Sequence, residues 1–531
     1  MKQKLCALLF LLSVFSSSFA QFSISWQNCF GGSHQDIPYD IIEYQGNYLI
    51  IGYTDSYDGD ISYNHGEQDV WVVEVDSAGN MIREKTFGGS LGDGGVRILK
   101  DNKGDLYLLG DAWSSDGDIS YDPYPESGDF WTVKIDGSWD IIWDKILGGT
   151  WLDRVQTGTM THDGNVIVQG HTGSPDGDVS VYYGEYDIWQ TKLSNNGDLL
   201  WDFTLGSLGF DYGHSLLQTS DNGFLVGGYA RVEDGGGNIE CVPHSWYGEA
   251  ILAKLDSNAS IEWQHCYGGS GDEQVNFILE VTDGYILAAS TMSNDGDLAG
   301  AGYHGGLDVW IIKIDFFGNI LWSKCYGGSE HDNPKKMFPS ADGGFLIFAN
   351  TQSNDGDVNG NHQEGKDDIW VVKISEYGTL EWQQCFGGIG DERIWHAVLK
   401  INEHKYIIAA ETDNGPSFDV DCSPVWWGEP KYWVLELTDS MVGIDETRNI
   451  DDATISVFPN PSNQFITIQS PLLKTDAIIR IHNTLGQCMK EIQVVQNHEG
   501  LSIDISHFPP GYYSISLNCK GNFVRTGLIV R

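Results

Sequence analysis

Aspartates recur at fixed positions in the first 443 residues, in a pattern that suits a hard cation. Five copies of Ser-x-Asp-Gly-Asp each place two aspartates around one glycine, and another aspartate follows nine to eleven residues later, at the start of an Asp-apolar-Trp strand. Calcium takes six to eight oxygen ligands, so carboxylates that converge on one face of a fold suit it. The candidate calcium ligands are Asp58, Asp60, Asp69, Asp116, Asp118, Asp129, Asp176, Asp178, Asp187, Asp295, Asp297, Asp308, Asp355, Asp357 and Asp368.

The same residue types also form tight turns without any metal. An Asp side chain accepts hydrogen bonds from its own backbone, and Gly adopts a positive φ at little cost. The spacing also differs from that of the EF-hand loop. The motif therefore has two open interpretations, turn formation and calcium binding.

Two loops depart from this pattern and resemble each other. Residues 241–249 are CVPHSWYGE and residues 422–429 are CSPVWWGE. Exposed aromatic side chains beside acids are typical of a sugar-binding surface, and loops on a rigid scaffold often carry function. Apolar packing of both loops over the fold is the alternative. The predicted ligand-binding residues are Trp246, Tyr247, Glu249, Trp426, Trp427 and Glu429.

These motifs belong to an internal repeat of about 60 residues. A turn of the type Phe-Gly-Gly recurs seven times, with first glycines 57 to 62 residues apart, and an Asp-apolar-Trp strand accompanies most copies. The region before the C-terminal segment is therefore built from seven similar units. The first glycines of the turns are Gly31, Gly88, Gly148, Gly206, Gly268, Gly327 and Gly387.

Each unit contains four predicted strands and lacks helical periodicity. Residues 306–325 show two of the strands, joined by a Gly-Asn turn as in a hairpin. Segments such as WVVEV are apolar at nearly every position, so both faces of each sheet must be covered. Small sheets stacked around an axis meet this need, and we predict an all-β fold with a seven-bladed β-propeller over residues 21–443. Residues 23–30 would close the ring as the outermost strand beside the Trp433 strand.

Catalytic motifs are weak in this repeat. The hairpin from Trp310 to Trp322 resembles the outer hairpin of pyrroloquinoline-quinone-type propellers, but the resemblance is architectural, since neither eight blades nor quinone-binding side chains are apparent. Arg154, His214 and His396 interrupt the repeat on innermost strands and could serve as acid and base in a central channel. We assign no catalytic residue, and catalysis stays the alternative to binding.

The composition limits the partners of the chain. It has 75 acidic and 30 basic side chains, a formal charge of −45. Because nucleic-acid binding relies on Lys and Arg, no nucleic-acid partner is predicted. The 41% of apolar residues, with 19 Trp, can form a large core.

Four cysteines occupy one repeat position on the outer strands. Adjacent outer edges of a propeller are too far apart for a bridge, so we expect free buried thiols there. A disulfide between Cys241 and Cys422 would require two distant units to meet across the axis and is not expected. The four cysteines are Cys29, Cys266, Cys325 and Cys385.

Residues 1–20 have the pattern of a signal peptide. Lys2 and Lys4 precede an apolar core and a stretch of small residues that ends in Ser-Phe-Ala. No later segment has the roughly 18 apolar residues that a membrane span needs, so no transmembrane segment is predicted.

The composition changes beyond residue 443. Residues 444–531 hold 8 acidic and 7 basic side chains, whereas residues 21–443 hold 67 and 21. Residues 444–452 read as a polar linker. Alternating apolar residues between Pro, Asn and Gly turns predict a small antiparallel β-sandwich over residues 453–531.

Four ordered motifs mark this tail: FPNP from Phe458, NTLGQ from Asn483, FPPGYY from Phe508, and a last strand ending at Arg531. They resemble the type A C-terminal sorting domain of type IX secretion cargo. The resemblance implies recognition by the type IX secretion machinery of a Gram-negative bacterium and a location at the outer cell surface or outside the cell. The sorting-signal residues would be Pro459, Asn460, Pro461, Gly486, Gly511 and Tyr512.

Function is therefore expected in the propeller. Its repeats also resemble a group of secreted bacterial proteins with Asn-Asp-Gly-Asp turns, a resemblance that implies no activity. We predict a noncatalytic module that binds a glycan or a surface protein, with calcium as a candidate cofactor. The alternative is a polysaccharide lyase or glycoside hydrolase that acts in the central channel.

Overall fold

The structure is a computed structural model of the chain, which divides into two compact units, residues 1–441 and 442–531. The predicted signal peptide and linker lie outside the described residues. The described residues are 22–125, 127–232, 236–413, 415–421, 428–439, 456–458, 464–469, 477–483, 488–494, 501–509, 511–519 and 522–530.

Antiparallel sheets of consecutive strands make up the first unit. Sheets I to III each contain four strands in chain order. Sheet I comprises β2 (Asp36–Tyr44), β3 (Asn47–Thr54), β4 (Asp69–Val75) and β5 (Met81–Phe87). Sheet II comprises β6 (Asp93–Lys100), β7 (Leu106–Ala112), β8 (Asp129–Ile135) and β9 (Ile141–Leu147). Sheet III comprises β10 (Asp153–Met160), β11 (Val166–Thr172), β12 (Asp187–Leu193) and β13 (Leu199–Leu205).

Sheets IV to VI repeat this arrangement. Sheet IV comprises β14 (Asp211–Gln218), β15 (Phe224–Ala230), β16 (Glu249–Leu255) and β17 (Ile261–Tyr267). Sheet V comprises β18 (Glu273–Val281), β19 (Gly284–Thr291), β20 (Asp308–Ile314) and β21 (Ile320–Tyr326), with a 3₁₀ turn at Gly296–Leu298. Sheet VI comprises β22 (Asp332–Pro339), β23 (Phe345–Thr351), β24 (Asp368–Ile374) and β25 (Leu380–Phe386).

Sheet VII joins both ends of the first unit. Its innermost strand is split in two, and the N-terminal strand β1 pairs antiparallel with β29, with Cys29 opposite Trp433. The pairing expected between residues 23–30 and the Trp433 strand is therefore present. The strands are β1 (Phe22–Phe30), β26 (Glu392–Arg393), β27 (Val398–Asn402), β28 (Lys405–Thr412) and β29 (Lys431–Asp439).

Burial explains the apolar strand sequences. Every residue of β4 (DVWVVEV) and of β24 (DIWVVKI) is buried, because neighbouring sheets cover both faces of these strands. Apolar clusters each join two sheets, and the tryptophans of the outer strands pack against them. The repeated four-stranded sheets are those of a β-propeller. These tryptophans are Trp26, Trp143, Trp201, Trp263, Trp322 and Trp382.

The second unit consists of two antiparallel sheets that share one apolar cluster, which includes Ile466, Ile481 and Ile515. One sheet has the strand order β30-β31-β34 and the other β33-β32-β35-β36. The strands are β30 (Ser456–Phe458), β31 (Phe465–Gln469), β32 (Ala477–Asn483), β33 (Cys488–Val494), β34 (Leu501–Asp504), β35 (Gly511–Cys519) and β36 (Asn522–Val530).

Candidate functional site

An aromatic cavity of about 370 Å³, here called the rim cavity, opens between sheets IV and V. It is lined by Phe210, Tyr212, Tyr229, Arg231 and Gln274. The rings of Phe210 and Tyr212 are nearly parallel, with centroids 6.4 Å apart, and the ring of Tyr229 lies 6.0 Å from that of Tyr212. Flat rings beside a guanidinium and an amide form a surface on which a sugar ring could stack while its hydroxyls are hydrogen-bonded.

Two hydrogen bonds attach the loop of residues 241–249 to this cavity. The Tyr229 hydroxyl donates to Asp272 Oδ1 over 3.3 Å, and the Gly248 N–H donates to the same oxygen over 2.9 Å. Gly248 is required there, because a Cβ would lie 1.7 Å from the Tyr229 ring. Burial, together with the nearby Asp272 carboxylate, raises the pKa of Tyr229 to about 12, so the hydroxyl stays a donor.

The predicted ligand-binding residues of this loop separate into two groups. The side chains of Trp246 and Tyr247 are 75% and 61% exposed. Glu249, by contrast, is fully buried at the start of β16, where its carboxylate accepts a hydrogen bond from the backbone N–H of His244 over 2.7 Å. Glu249 thus lies in the interior, away from the exposed surface on which the sequence had suggested it.

The second aromatic loop lies mostly outside the described residues. Trp426 and Trp427 belong to the part that is not described, and Glu429 is half-buried just before β29. The ligand-binding prediction for these three residues stays a prediction.

The expectation of free thiols was wrong at two of the four positions. Cys266 forms a disulfide with Cys241, with a Cα–Cα distance of 5.5 Å, and Cys29 is also disulfide-bonded. The bridge to Cys266 joins the aromatic loop to the outer strand of its own sheet, so no two outer edges need to meet. Cys325 and Cys385 are free and buried, as expected.

The first strands of six sheets share a further feature. Each of β2, β6, β10, β14, β18 and β22 has a bulge near its start, which adds one residue that has no partner in the ladder. Bulges re-aim side chains and are common near functional sites. The added residues are Tyr39, Val96, Gln156, His214, Asn276 and Lys335.

Side chains that are far apart in the sequence, or that lie on one strand, come close together at these bulges. The Tyr39 ring of sheet I stacks on Trp395 of sheet VII, with centroids 5.1 Å apart. The His214 ring lies 6.4 Å from Tyr212 of the rim cavity. Burial and the positive charges of Arg97, Lys336 and Lys335 lower the pKa of His396 well below its usual value. We call this central region, lined by the innermost strands, the channel.

The residues named for the catalytic alternative all lie here. Arg154 Nε contacts Asp111 Oδ2 at 3.2 Å, which is an ion pair between β10 and β7. Burial lowers the pKa of His214 to about 4, so its ring is neutral at pH 7. His396 is neutral for the same reason. The channel therefore contains two unprotonated imidazoles that could accept a proton.

The aspartates of the Ser-x-Asp-Gly-Asp motifs bind backbone N–H groups of the Gly-Gly turns. Asp58 Oδ1 accepts the Ser33 N–H over 2.7 Å, and Asp60 Oδ2 accepts the Gly31 N–H over 3.0 Å. In the other copies Asp116, Asp176, Asp295 and Asp355 match Asp58, and Asp118, Asp178 and Asp297 match Asp60. Asp357 Oδ2 lies 3.6 Å from His304 Nε2. These contacts support turn formation as one role of the motif.

The later aspartates of the calcium prediction are buried between sheets. Asp69 Oδ2 accepts a hydrogen bond from the backbone N–H of His65 over 2.7 Å, while Asp69 Oδ1 is buried without a hydrogen-bond partner. A Cβ at Gly88 would lie 2.5 Å from that oxygen and 2.9 Å from Asp93 Oδ2, so the glycine leaves room between two carboxylates. Asp129, Asp187, Asp308 and Asp368 likewise have a buried Oδ1 without a partner.

Calcium binding stays a prediction. The buried carboxylate oxygens without a hydrogen-bond partner suit a cation. However, only two acidic side chains meet beside each of these glycines. Among the described residues, no group of three or more His, Cys, Asp or Glu side chains is arranged to hold a metal ion. A bound calcium ion would need further oxygens from backbone or water.

Residues 456–531 match the family model of the secretion system C-terminal sorting domain. The C-terminal unit is a type IX secretion sorting domain. The protein is thus exported by the type IX system, toward the cell surface or the medium. No curated protein matches the chain significantly. Within the described residues, no helix is long and apolar enough to cross a membrane.

Two solved structures illustrate the likeness of fold. The WD40 domain of Neurospora crassa Pan2 has 10% identity and a TM-score of 0.40, and the match covers 78% of this chain and 95% of that chain. The structure of YCF48 bound to D1 peptide has 7% identity and a TM-score of 0.39, with 80% and 99% covered. At this identity the likeness concerns the fold alone.

The sorting-signal residues are only partly visible. Pro459, Asn460, Pro461 and Gly486 lie outside the described residues. Gly511 and Tyr512 begin β35, where their backbones pair with Val530 and Ile529 of β36. These residues join the predicted last strand of the sorting domain to its neighbour.

Sequence reasoning missed the residues of the rim cavity. Tyr212 and Gln274 each stand one position after the first acid of an innermost strand, where other units have Ile37, Gly94 or Arg154. That variation within an otherwise regular repeat was the available signal. The clustering of Phe210, Tyr229 and Arg231 around Tyr212 had no signal in one sequence, because loop ends and strand ends meet only after folding. These three lining residues are placed by the structure.

Proposed function

We propose that the first unit is a noncatalytic glycan-binding module that the sorting domain brings to the cell surface or the medium. The rim cavity carries this proposal, because it combines three aromatic rings with one guanidinium and one amide. The loop that contains the exposed Trp246 and Tyr247 is tied to it through Gly248, which shares Asp272 Oδ1 with Tyr229. A surface protein is the other ligand class that the sequence suggested. Stacked rings with planar polar groups favour a saccharide, whose rings offer C–H faces and hydroxyls.

We further infer that the seven sheets form a closed seven-bladed ring. Two observations support closure: β1 completes sheet VII through β29, and one apolar cluster joins Tyr48 and Ile50 of sheet I to Ile407 and Tyr432 of sheet VII. A closed ring would hold the rim cavity rigidly. Removal of residues 22–30 is then expected to lower the melting temperature strongly, and an unchanged temperature would contradict closure.

The catalytic alternative is a polysaccharide lyase or glycoside hydrolase in the channel. The two neutral imidazoles of His214 and His396 favour it, because a neutral ring can accept a proton. A reducing-end assay on a panel of polysaccharides tests this directly. Turnover that is lost in H214A would establish the enzyme and refute the noncatalytic proposal.

A glycan array followed by calorimetry tests glycan binding by the secreted chain. We expect saccharides to bind, and Y212A to weaken binding at least tenfold, because the ring between Phe210 and Tyr229 is lost. The matched control is Y377A. Tyr377 is 72% exposed and lies on the turn between β24 and β25 of sheet VI, whereas the rim cavity lies between sheets IV and V. Binding that survives in Y212A, or that Y377A removes equally, would refute the rim cavity as the site.

A further inference from the structure

A second cavity, of about 470 Å³, lies between the same two sheets as the rim cavity but at their opposite end. Tyr212 of the rim cavity is the second residue of β14, whereas Ser220 and Asp221, which line the second cavity, lie beyond the last residue of that strand. We call it the turn cavity, because the β14–β15 and β20–β21 turns both line it. The proposed glycan binding does not use this cavity.

Carboxylates outnumber cations in the turn cavity. Lys254 Nζ lies 2.9 Å from Asp221 Oδ2 and 3.0 Å from Glu262 Oε2, so one ammonium serves two acids. The third acid, Glu280, accepts a hydrogen bond from the backbone N–H of Ser220 over 2.8 Å. Within the described part of the chain, no ion pair reaches Glu280. Three carboxylates and one ammonium therefore leave the wall of the cavity negatively charged.

The junction of sheets VI and VII contains a similar acid that has a counter-ion. There Glu403 accepts a hydrogen bond from the backbone N–H of Ala341 over 3.1 Å, in the way that Glu280 accepts that of Ser220. Glu403 Oε1 also lies 2.6 Å from Lys400 Nζ. The acid of the turn cavity therefore lacks a cation that the corresponding acid has.

Aromatic side chains form the rest of the wall. The rings of Tyr285 and Phe316 are perpendicular, with centroids 5.4 Å apart, and Trp263 also lines the cavity. Phe316 and Phe317 are both exposed on the β20–β21 turn. Two exposed phenylalanines on one turn are specific to this cavity among five sheets. In the other four, the same two turn positions hold small or polar residues, namely Ser77 and Ala78, Gly137 and Ser138, Asn195 and Asn196, and Ser257 and Asn258.

The hydroxyl of Tyr285 has an unused capacity for hydrogen bonding. This residue lines the cavity and is only 3% exposed, and among the described residues its hydroxyl has no hydrogen-bond partner. Burial raises the pKa of Tyr285 to about 12, and the charges of Glu280, Asp221 and Glu262 add to the rise, so the hydroxyl stays protonated. A phenolic oxygen can still accept a hydrogen bond. An ammonium in the cavity would supply the missing donor.

These features together suit a cation with an apolar stem. Aromatic faces attract an ammonium or guanidinium within about 6 Å of the ring centroid. Carboxylates attract a cation more strongly in a partly enclosed site than in bulk water. The methylene groups of a lysine or arginine side chain would pack against the phenylalanine rings. A neutral group would gain neither electrostatic attraction.

We propose that the turn cavity binds an aliphatic ammonium or guanidinium group, such as a lysine or arginine side chain, between Glu280 and the rings of Trp263 and Phe316. This is a second ligand site, and it does not depend on glycan binding at the rim cavity. The net charge of −45 attracts cations to the whole surface. A test must therefore separate this cavity from that general attraction.

Calorimetry with three probes tests the proposal on the secreted chain: the blocked tripeptide Gly-Lys-Gly, the same tripeptide with norleucine in place of lysine, and butylammonium. We expect the lysine peptide to bind about tenfold more tightly than the norleucine peptide, as a partly enclosed cation over aromatic rings should. Butylammonium distinguishes the two sources of the cation. Binding equal to that of the lysine peptide shows that a free amine suffices, whereas weaker binding shows that a peptide presents the group, and both results support the site.

Two variants locate the binding. E280Q removes the acid without a counter-ion, and F316A removes a ring that is exposed on a turn. We expect each variant to weaken binding of the lysine peptide about fivefold. The matched control is E403Q, which removes one negative charge from the acid that makes the corresponding backbone contact but is paired with Lys400. It should leave binding unchanged.

Three results would overturn the inference. Equal binding of the lysine and norleucine peptides would show that the cavity does not select a cation. Equal weakening by E280Q and E403Q would show only general attraction by the acidic surface. Binding that F316A leaves unchanged would also overturn the site, and this variant decides if E280Q does not fold. The glycan array is a separate measurement, so its failure would refute glycan binding and leave the cation site standing.

Discussion

The seven junctions between neighbouring sheets fall into two kinds. At each junction, the first residue of the third strand of one sheet lies near the first acidic residue of the next sheet. The first glycine of the Phe-Gly-Gly-type turn lies next to this place. At six junctions both residues are acids, as with Asp129 and Asp153 around Gly148. At the junction from sheet VII to sheet I, the residue is Lys431, whose Nζ lies 3.4 Å from Asp36 Oδ2.

The difference shows what the acidic junctions need. Lys431 supplies a positive charge between the sheets and also donates to the Pro430 carbonyl oxygen over 3.1 Å. Four acidic junctions contain a histidine instead, because the rings of His65, His244, His304 and His362 each contact the first acid within 3.2 Å. Among the described residues, the Asp129–Asp153 and Asp187–Asp211 junctions have no ion-pair partner. Five of the six acidic junctions contain a buried Oδ1 without a hydrogen-bond partner. Burial raises the pKa of Asp211 and of Glu392 to about 7 each. Two buried carboxylates cannot both ionise at low cost, so each pair needs a proton or a cation, and a protonated histidine can serve as that cation at the four junctions that contain one.

The largest expected effect comes from removing the ammonium. K431M leaves Asp36 buried without its counter-ion, and breaking a buried pair in this way costs about 3 to 5 kcal/mol. We expect a clearly lower denaturation midpoint at pH 8. K324M serves as the control, because Lys324 is exposed. A loss of unfolding free energy of no more than about 0.5 kcal/mol, which is typical of surface substitutions, would show that Lys431 has no compensating role.

Filling the space between two acids should have the next largest effect. In G148A the new Cβ would lie 2.0 Å from Asp129 Oδ1 and 2.6 Å from Asp153 Oδ2. Such overpacking costs about 1 to 3 kcal/mol. In the control G92A the nearest atom would be 3.8 Å away. Equal melting temperatures of the two variants would refute a tight junction.

The acidic junctions should make the protein less stable as pH rises. Asp211 has a folded-state pKa of about 7, above its ordinary value of 3.8, so the folded state holds a proton that the unfolded state has lost. This contribution is fully present below about pH 4 and is lost as pH rises through about 7. We expect the melting temperature to fall between pH 5 and pH 8, measured with a chelator present.

A variant at the same junction sharpens this test. D187N replaces the partner of Asp211 with a neutral amide that can donate to it, so the pH dependence should weaken. D140N is the control, because Asp140 is an exposed acid on a turn. A melting temperature that rises with pH would contradict the raised pKa of Asp211, and an unchanged slope in D187N would contradict a contribution of Asp187 to it.

Calcium is expected to have the smallest effect. If the acidic junctions or the Ser-x-Asp-Gly-Asp turns bind it, calcium added after chelation should raise the melting temperature by a few degrees at pH 8. The rise should be smaller at pH 5, where the carboxyls hold protons. Magnesium is the control ion. An unchanged temperature at pH 8 would refute the calcium prediction.

Much of the fold was predictable from sequence because its signals are local. The Gly-Gly turns and the apolar strands repeat every 57 to 62 residues, and the tail carries ordered motifs. The pairing of β1 with β29 followed from counting which strands lacked a partner. The candidate site was less predictable: Trp246 and Tyr247 were named, whereas Tyr212 and Arg231 were not.

The sequence by itself determined the repeat, the strand character and the sorting domain, since short-range hydrogen bonding and hydrophobic periodicity are written in neighbouring residues. Tertiary structure alone decided that Asp129 faces Asp153, that Cys241 bonds to Cys266, and that Tyr39 stacks on Trp395. These outcomes depend on distances between separate strands and sheets. Packing sets such distances, and a single sequence contains no direct record of them.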